Sequence, residues 1–138
     1  MINESMKIRA FLIFCAVGLV PIALVYGAKP SVSLNLLFGI MVDTTNLTHI
    51  MRAVMGLYLG MVLLWLLGAF RKPMEGPALA SCAVFMLGLA AGRILSFVMD
   101  GLPHWLLIVY AVLEIVLGLI AVILYRGYNA DPTPVSRR

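Results

Sequence analysis

Gly92-Arg93-Ile94-Leu95-Ser96-Phe97-Val98-Met99-Asp100-Gly101-Leu102-Pro103-His104 joins two strongly apolar segments, the second of which carries Glu114 and then Gly118. An arginine, an aspartate, a histidine and a glutamate thus gather where the flanking sequence is almost wholly aliphatic. Ionisable side chains are costly in hydrocarbon, so those in apolar segments face the protein interior, pair there and mark functional sites. Asp100-Gly101-Leu102-Pro103 is turn chemistry, so the stretch reads as a tight hairpin between two long helices.

Composition decides the medium around those helices. Of 138 residues 63% are apolar and 12% charged, with mean hydropathy +1.07. Soluble domains hold about 45–50% apolar and about 25% charged residues, so this chain cannot cover a water-soluble globule with polar surface. An all-α polytopic membrane protein follows. A spanning helix needs about 20 apolar residues, and four segments qualify: residues 10–28, 47–70, 78–99 and 104–125. They form one four-helix domain over residues 1–125, followed by a polar tail over 126–138.

The first segment ends at Tyr26-Gly27-Ala28 before Lys29. A signal-peptide cleavage site wants small residues where Tyr26 stands, so the segment reads as a retained span, with Pro21 as an internal kink. Residues 31–49 are too apolar for a solvated loop and too short to cross and return, which predicts an interfacial or partly re-entrant helix. Asp43-Thr44-Thr45-Asn46 supplies turn residues and N-caps for the next span. Small residues four apart (Gly56 with Gly60, Gly88 with Gly92) read first as close helix packing inside the bundle and second as a contact between copies.

Lys7, Arg9, Arg71, Lys72, Arg126, Arg137 and Arg138 fall in alternate connections, against Lys29 alone in the others, outside the spans. The excess of cations marks the cytoplasmic side, so both termini are expected inside. Arg93 then lies about 10 Å and Glu114 about 15 Å from the outer ends of their helices. Arg52, at the start of the second span, is expected as a third member. Asp100, Ser96, His104 and His49 gather at the outer boundary. The cluster supports two readings: an internal ion pair that sets helix register, or the polar end of a pocket.

Cys15 and Cys82 read as small buried apolar residues, and Trp65 and Trp105 as lipid-interface belts, with Tyr26, Tyr110 and Tyr125 in part. No metal-ligand cluster, phosphate-binding loop or nucleophile elbow occurs, so no cofactor, metal or catalytic residue is expected, and the few scattered cations give no basis for nucleic-acid binding.

Arg52-Ala-Val-Met-Gly56-Leu-Tyr58, Gly92-Arg93-Ile-Leu-Ser96 with Asp100-Gly101-x-Pro103, and Glu114 together resemble a family of small bacterial four-helix membrane proteins catalogued as a domain of unknown function, and more loosely the DoxX-like group. The resemblance implies a four-helix bundle in a bacterial inner membrane and no assigned activity. The expected role is non-enzymatic: binding membrane lipid or a lipid-like or small amphiphilic ligand, or serving as an accessory subunit of a larger membrane complex. The alternative is an oligomeric transporter or proton-coupled carrier using Glu114; an enzyme acting on lipid or quinone is a third reading.

Overall fold

A computed structural model describes residues 4–130. It contains α1 (Glu4–Gly27), α2 (Pro30–Phe38), α3 (Thr45–Phe70), a 3₁₀ turn (Lys72–Met74), α4 (Glu75–Met99) and α5 (Trp105–Ala130). Helices α1, α3, α4 and α5 are each long and apolar enough to cross a membrane. At 1.5 Å per residue each is about 36–39 Å long, against a hydrocarbon core of about 30 Å. Large apolar residues such as Phe14, Leu63, Val84 and Ile123 stay exposed on all four. A surface of that kind suits lipid rather than water, and the chain is a multi-pass membrane protein.

The bundle is built from two antiparallel pairs. Helix α1 packs along α3, α4 packs along α5, and α3 against α4 joins the pairs. Contact between α1 and α5 is sparse, so the bundle is loosest on that side. The core comprises Leu12, Leu19, Trp65, Leu79, Cys82 and Met86 with their neighbours. Both cysteines are buried free thiols, as expected.

Between lipid-embedded helices packing replaces the hydrophobic effect as the cohesive force, so the closest approaches carry the fold. They occur at glycines other than the two stripes in the sequence. A Cβ on Gly68 would collide with Ala78 Cβ and meet Leu12 and the Met74 carbonyl at 3.1 Å. A Cβ on Gly27 would meet Met55, and one on Gly118 would meet Leu87. Gly56, Gly60, Gly88 and Gly92 have nothing within 4 Å of such an atom. The expected use of those four in intramolecular packing is therefore corrected. Gly68→Ala should lower stability by about 1–3 kcal/mol through overpacking, while Gly60→Ala should not, because its side chain meets open space. Reversible unfolding of the two variants in one detergent checks the contrast.

Local signals account for most of the ends. Thr44 caps α3, its hydroxyl accepting from the Leu47 N–H at 3.2 Å. Gly39 ends α2 in the left-handed region (φ 67°), and Ile40 N–H donates back to the Leu34 carbonyl at 3.2 Å, closing the turn that glycine favours. The 31–49 connection thus does contain a helix, α2, which exposes Val32, Leu36 and Leu37 while burying Leu34. Helix α5 runs past the expected boundary at Tyr125 and through Gly127, and Tyr128 packs over Gly76 at the start of α4. Residues 131–138 of the expected tail lie outside the described residues.

Candidate functional site

The α4–α5 hairpin sets the site's geometry. Arg93 stands six residues before the end of α4 and Glu114 nine residues into α5, depths of about 9 Å and about 14 Å from the same end. An arginine side chain bridges that difference. Arg93 Nε donates to Glu114 Oε2 at 2.7 Å, and the two side chains are 18% and 10% exposed. A charge-assisted bond of this length is strong. The contact expected from sequence is therefore present.

Its geometry leaves capacity on both partners. A guanidinium has five N–H donors, and only Nε is engaged with Glu114. No buried side-chain nitrogen or oxygen lacks a partner among the described residues. The terminal Arg93 nitrogens and Glu114 Oε1 are therefore in reach of open volume rather than sealed away. Tyr26 stands beside the guanidinium, and the Arg93 Cζ lies 5.8 Å from the centre of the Tyr110 ring.

Two volumes meet at this pair. A cavity of about 130 Å³ opens between α1, α4 and α5, lined by Phe14, Gly18, Leu89, Leu113 and Leu117 among others, with Tyr58, Tyr110, Arg93 and Glu114 towards the hairpin end. It lies where α1 and α5 separate, and Gly18 widens it by having no side chain. A more open groove of about 400 Å³ continues towards the hairpin, lined by Tyr26, Gly88, Gly92, Ser96 and Pro103. Tyr58, Leu89 and Arg93 border both. The glycine stripe of α4 thus shapes a groove instead of a helix contact.

The other sequence-predicted members are placed differently. Arg52 is exposed and makes no hydrogen bond or ion pair among the described residues, so the expected third partner is not drawn in. Ser96 donates to Asp100 Oδ2 at 2.7 Å on the exposed end of α4, at the rim of the groove. His104 is exposed, stacks edge-on against Phe38 of α2 at 5.9 Å, and accepts weakly from the Leu106 N–H through Nδ1. His49 is exposed and stands apart. No three metal-ligating side chains come together among the described residues.

Three side chains gain importance that sequence reasoning missed. Trp65, expected in a lipid-facing belt, is fully buried: its indole N–H donates to Ser81 Oγ at 3.2 Å, and its ring meets Phe85 edge-on at 5.6 Å. Phe85 in turn meets Tyr58, and Tyr58 meets Tyr26, at 5.1 and 5.8 Å. This aromatic chain runs from the core to the groove. Tyr58 sits about three to four turns into α3, a polar-tipped ring in an aliphatic span that entered the sequence reading only as part of the Arg52–Tyr58 motif. Glu75 is 5% exposed at the opposite end of α4, accepting from Ser5 Oγ at 2.6 Å. It looks like loop charge in the sequence because the turn around it is polar.

A family model described as a domain of unknown function (DUF4345) matches residues 8–125. No curated protein and no solved structure matches the chain.

Proposed function

The chain belongs to the DUF4345 family, and on that premise we propose that it is a non-enzymatic inner-membrane protein that binds a small amphiphile. The polar end of the ligand meets Arg93 and Glu114, and its apolar part enters the cavity between α1 and α5. The carrying observation is the join of an apolar cavity to an ion pair with unused hydrogen-bonding capacity on both partners. A pair serving register alone would close a bidentate contact in packed surroundings. This pair is held by one bond and borders two volumes. Buried pairs add little to stability compared with apolar replacements, which leaves binding as the better reason for placing charge here.

The reading carries the orientation drawn from the cations. Arg9, Arg71, Lys72 and Arg126 fall at the end opposite the hairpin, where Arg9 lies over the Phe70 ring at 4.8 Å. With both termini in the cytoplasm, the Arg93–Glu114 site opens into the outer leaflet. Helix α2 then lies along the outer interface with Val32, Leu36 and Leu37 in the acyl boundary. A bacterial inner membrane is the setting proposed. Binding is favoured over the carrier alternative because the volumes both lie on the hairpin side of the core, and Trp65, Leu79 and Cys82 pack solidly beyond them.

The test is native mass spectrometry and lipid extraction of the protein purified in mild detergent. We expect one retained amphiphile per chain in the wild type and a large loss of it in Arg93→Gln. Absence of any retained molecule from folded wild-type protein would remove the reading.

A further inference from the structure

The charge balance of the Arg93–Glu114 site points to more than a generic amphiphile. We infer that the head group it holds is uncharged and carries both a hydrogen-bond donor and an acceptor, as a primary amide or a hydroxyl does. This inference rests on the binding reading above and narrows it to a ligand class.

An arginine beside an apolar cavity first invites an anionic partner, a carboxylate or a phosphate. Here the cation already has its counter-charge at 2.7 Å. Among the described residues, Arg93 and Glu114 are the only charged side chains lining either volume. A further charge at the rim is negative, Asp100, held by groove-lining Ser96. A second anion would give the site a net negative charge within an apolar segment. Glu114 would offset much of the attraction from Arg93, while the full desolvation of the new charge would remain. A cation fares no better, because Arg93 repels it at the same range.

A neutral group escapes this opposition and fits the atoms that are left. The terminal N–H groups of Arg93 can only donate, and Glu114 Oε1 can only accept when ionised. Both residues line the same cavity, and neither leaves a fully buried polar atom without a partner. A primary amide meets them together, its carbonyl accepting from Arg93 and its N–H donating to Glu114. An ester supplies the first bond alone. A carboxylate has no donor for Glu114.

The cavity also limits the apolar part. Its volume of about 130 Å³ is close to that of an engineered cavity of about 150 Å³ that takes up one benzene. By that measure it takes about six carbons of a single chain, the remainder lying in the open side between α1 and α5, and the paired chains of a bilayer phospholipid do not fit.

Equilibrium binding of radiolabelled decanamide, methyl decanoate and decanoate tests the proposal. The full chain would be held in phosphatidylcholine nanodiscs at about pH 9, where the acid is ionised. Each value would be corrected for uptake by protein-free nanodiscs. Decanamide should bind about tenfold or more tighter than decanoate, with the methyl ester weaker than the amide. Decanoate binding as tightly as decanamide, or tighter, would overturn the inference and leave the binding reading standing. An ester equal to the amide would remove the donor requirement. No binding of any probe above the protein-free background would sink the binding reading itself. Glu114→Gln supplies a second arm: it leaves Arg93 uncompensated, so preference should move towards decanoate. An unchanged ratio in a folded variant would contradict the charge argument, and the wild-type comparison stands whether or not that variant folds.

Discussion

Glu114→Leu should destabilise the bundle by about 3–5 kcal/mol, while the double change Arg93→Met with Glu114→Leu should return close to wild-type stability. The single change strands a guanidinium whose side chain is only 18% exposed. Tyr110, its ring centre 5.8 Å from the guanidinium carbon, offers a cation–π contact and no counter-charge. Among the described residues no other carboxylate lines either volume, so Arg93 is left without a counter-charge in place. In the double variant both desolvation costs disappear and two flexible apolar side chains fill similar space. Unfolding in detergent, followed by circular dichroism, reads both variants on one scale. If the double variant were as unstable as the single, the pair itself would be holding the hairpin together, and the case for a ligand would weaken. If it is stable but has lost the co-purifying amphiphile, the site's charge is there for binding.

Trp65→Ala is the second large effect, at about 3–5 kcal/mol. The indole is fully buried where α3 faces α4, and it is the largest side chain in the core. Lipid tails solvate apolar surface as well as protein does, so lost van der Waals contact is the main cost. Ser81 keeps its own bond to the Ala78 carbonyl at 2.8 Å, so the substitution leaves no stranded hydroxyl. Trp65→Phe retains an edge-on partner for Phe85 and gives up the hydrogen bond from the indole N–H, which should cost about 1 kcal/mol for the bond plus a smaller packing loss. The alanine variant has a consequence beyond stability. Phe85 lines the cavity and leans on Trp65 at 5.6 Å, so the void lets Phe85 fall back and loosens the cavity wall. Ligand retention should fall in Trp65→Ala and persist in Trp65→Phe. Retention unchanged in a folded Trp65→Ala protein would show that the aromatic chain does not support the site.

Glu75 illustrates how far burial can depart from sequence context. Its carboxylate lies in the first turn of α4, where helix N-terminal N–H groups favour negative charge, and Ser5 from α1 reaches it at 2.6 Å. The contact ties α1 to α4 at the end opposite the hairpin. Nothing within the polar turn from Arg71 to Pro77 distinguishes this glutamate from a solvated one, because its partner is 70 residues away.

Apolar length alone determined the four long helices, since hydrocarbon leaves backbone groups no partner outside the helix. Turn residues and the Thr44 cap marked most of the ends, and α2 was legible as an apolar segment too short to cross. The Arg93–Glu114 pair was legible too: two opposite charges in spans joined by a five-residue turn, Asp100 to His104, have few other partners. The tertiary structure alone decided which side of each helix faces inward. In water a helix declares its buried face by its polar one; these helices are apolar all round, and that signal is missing. Hence Trp65 proved internal rather than interfacial, Arg52 lay outside the cluster, and the close contacts fell on Gly27, Gly68 and Gly118 instead of the glycines spaced by four. The cavity belongs to the same class of fact. It exists because α1 and α5 part where Gly18 faces Leu113 and Leu117, a relation between chain ends that no local pattern records.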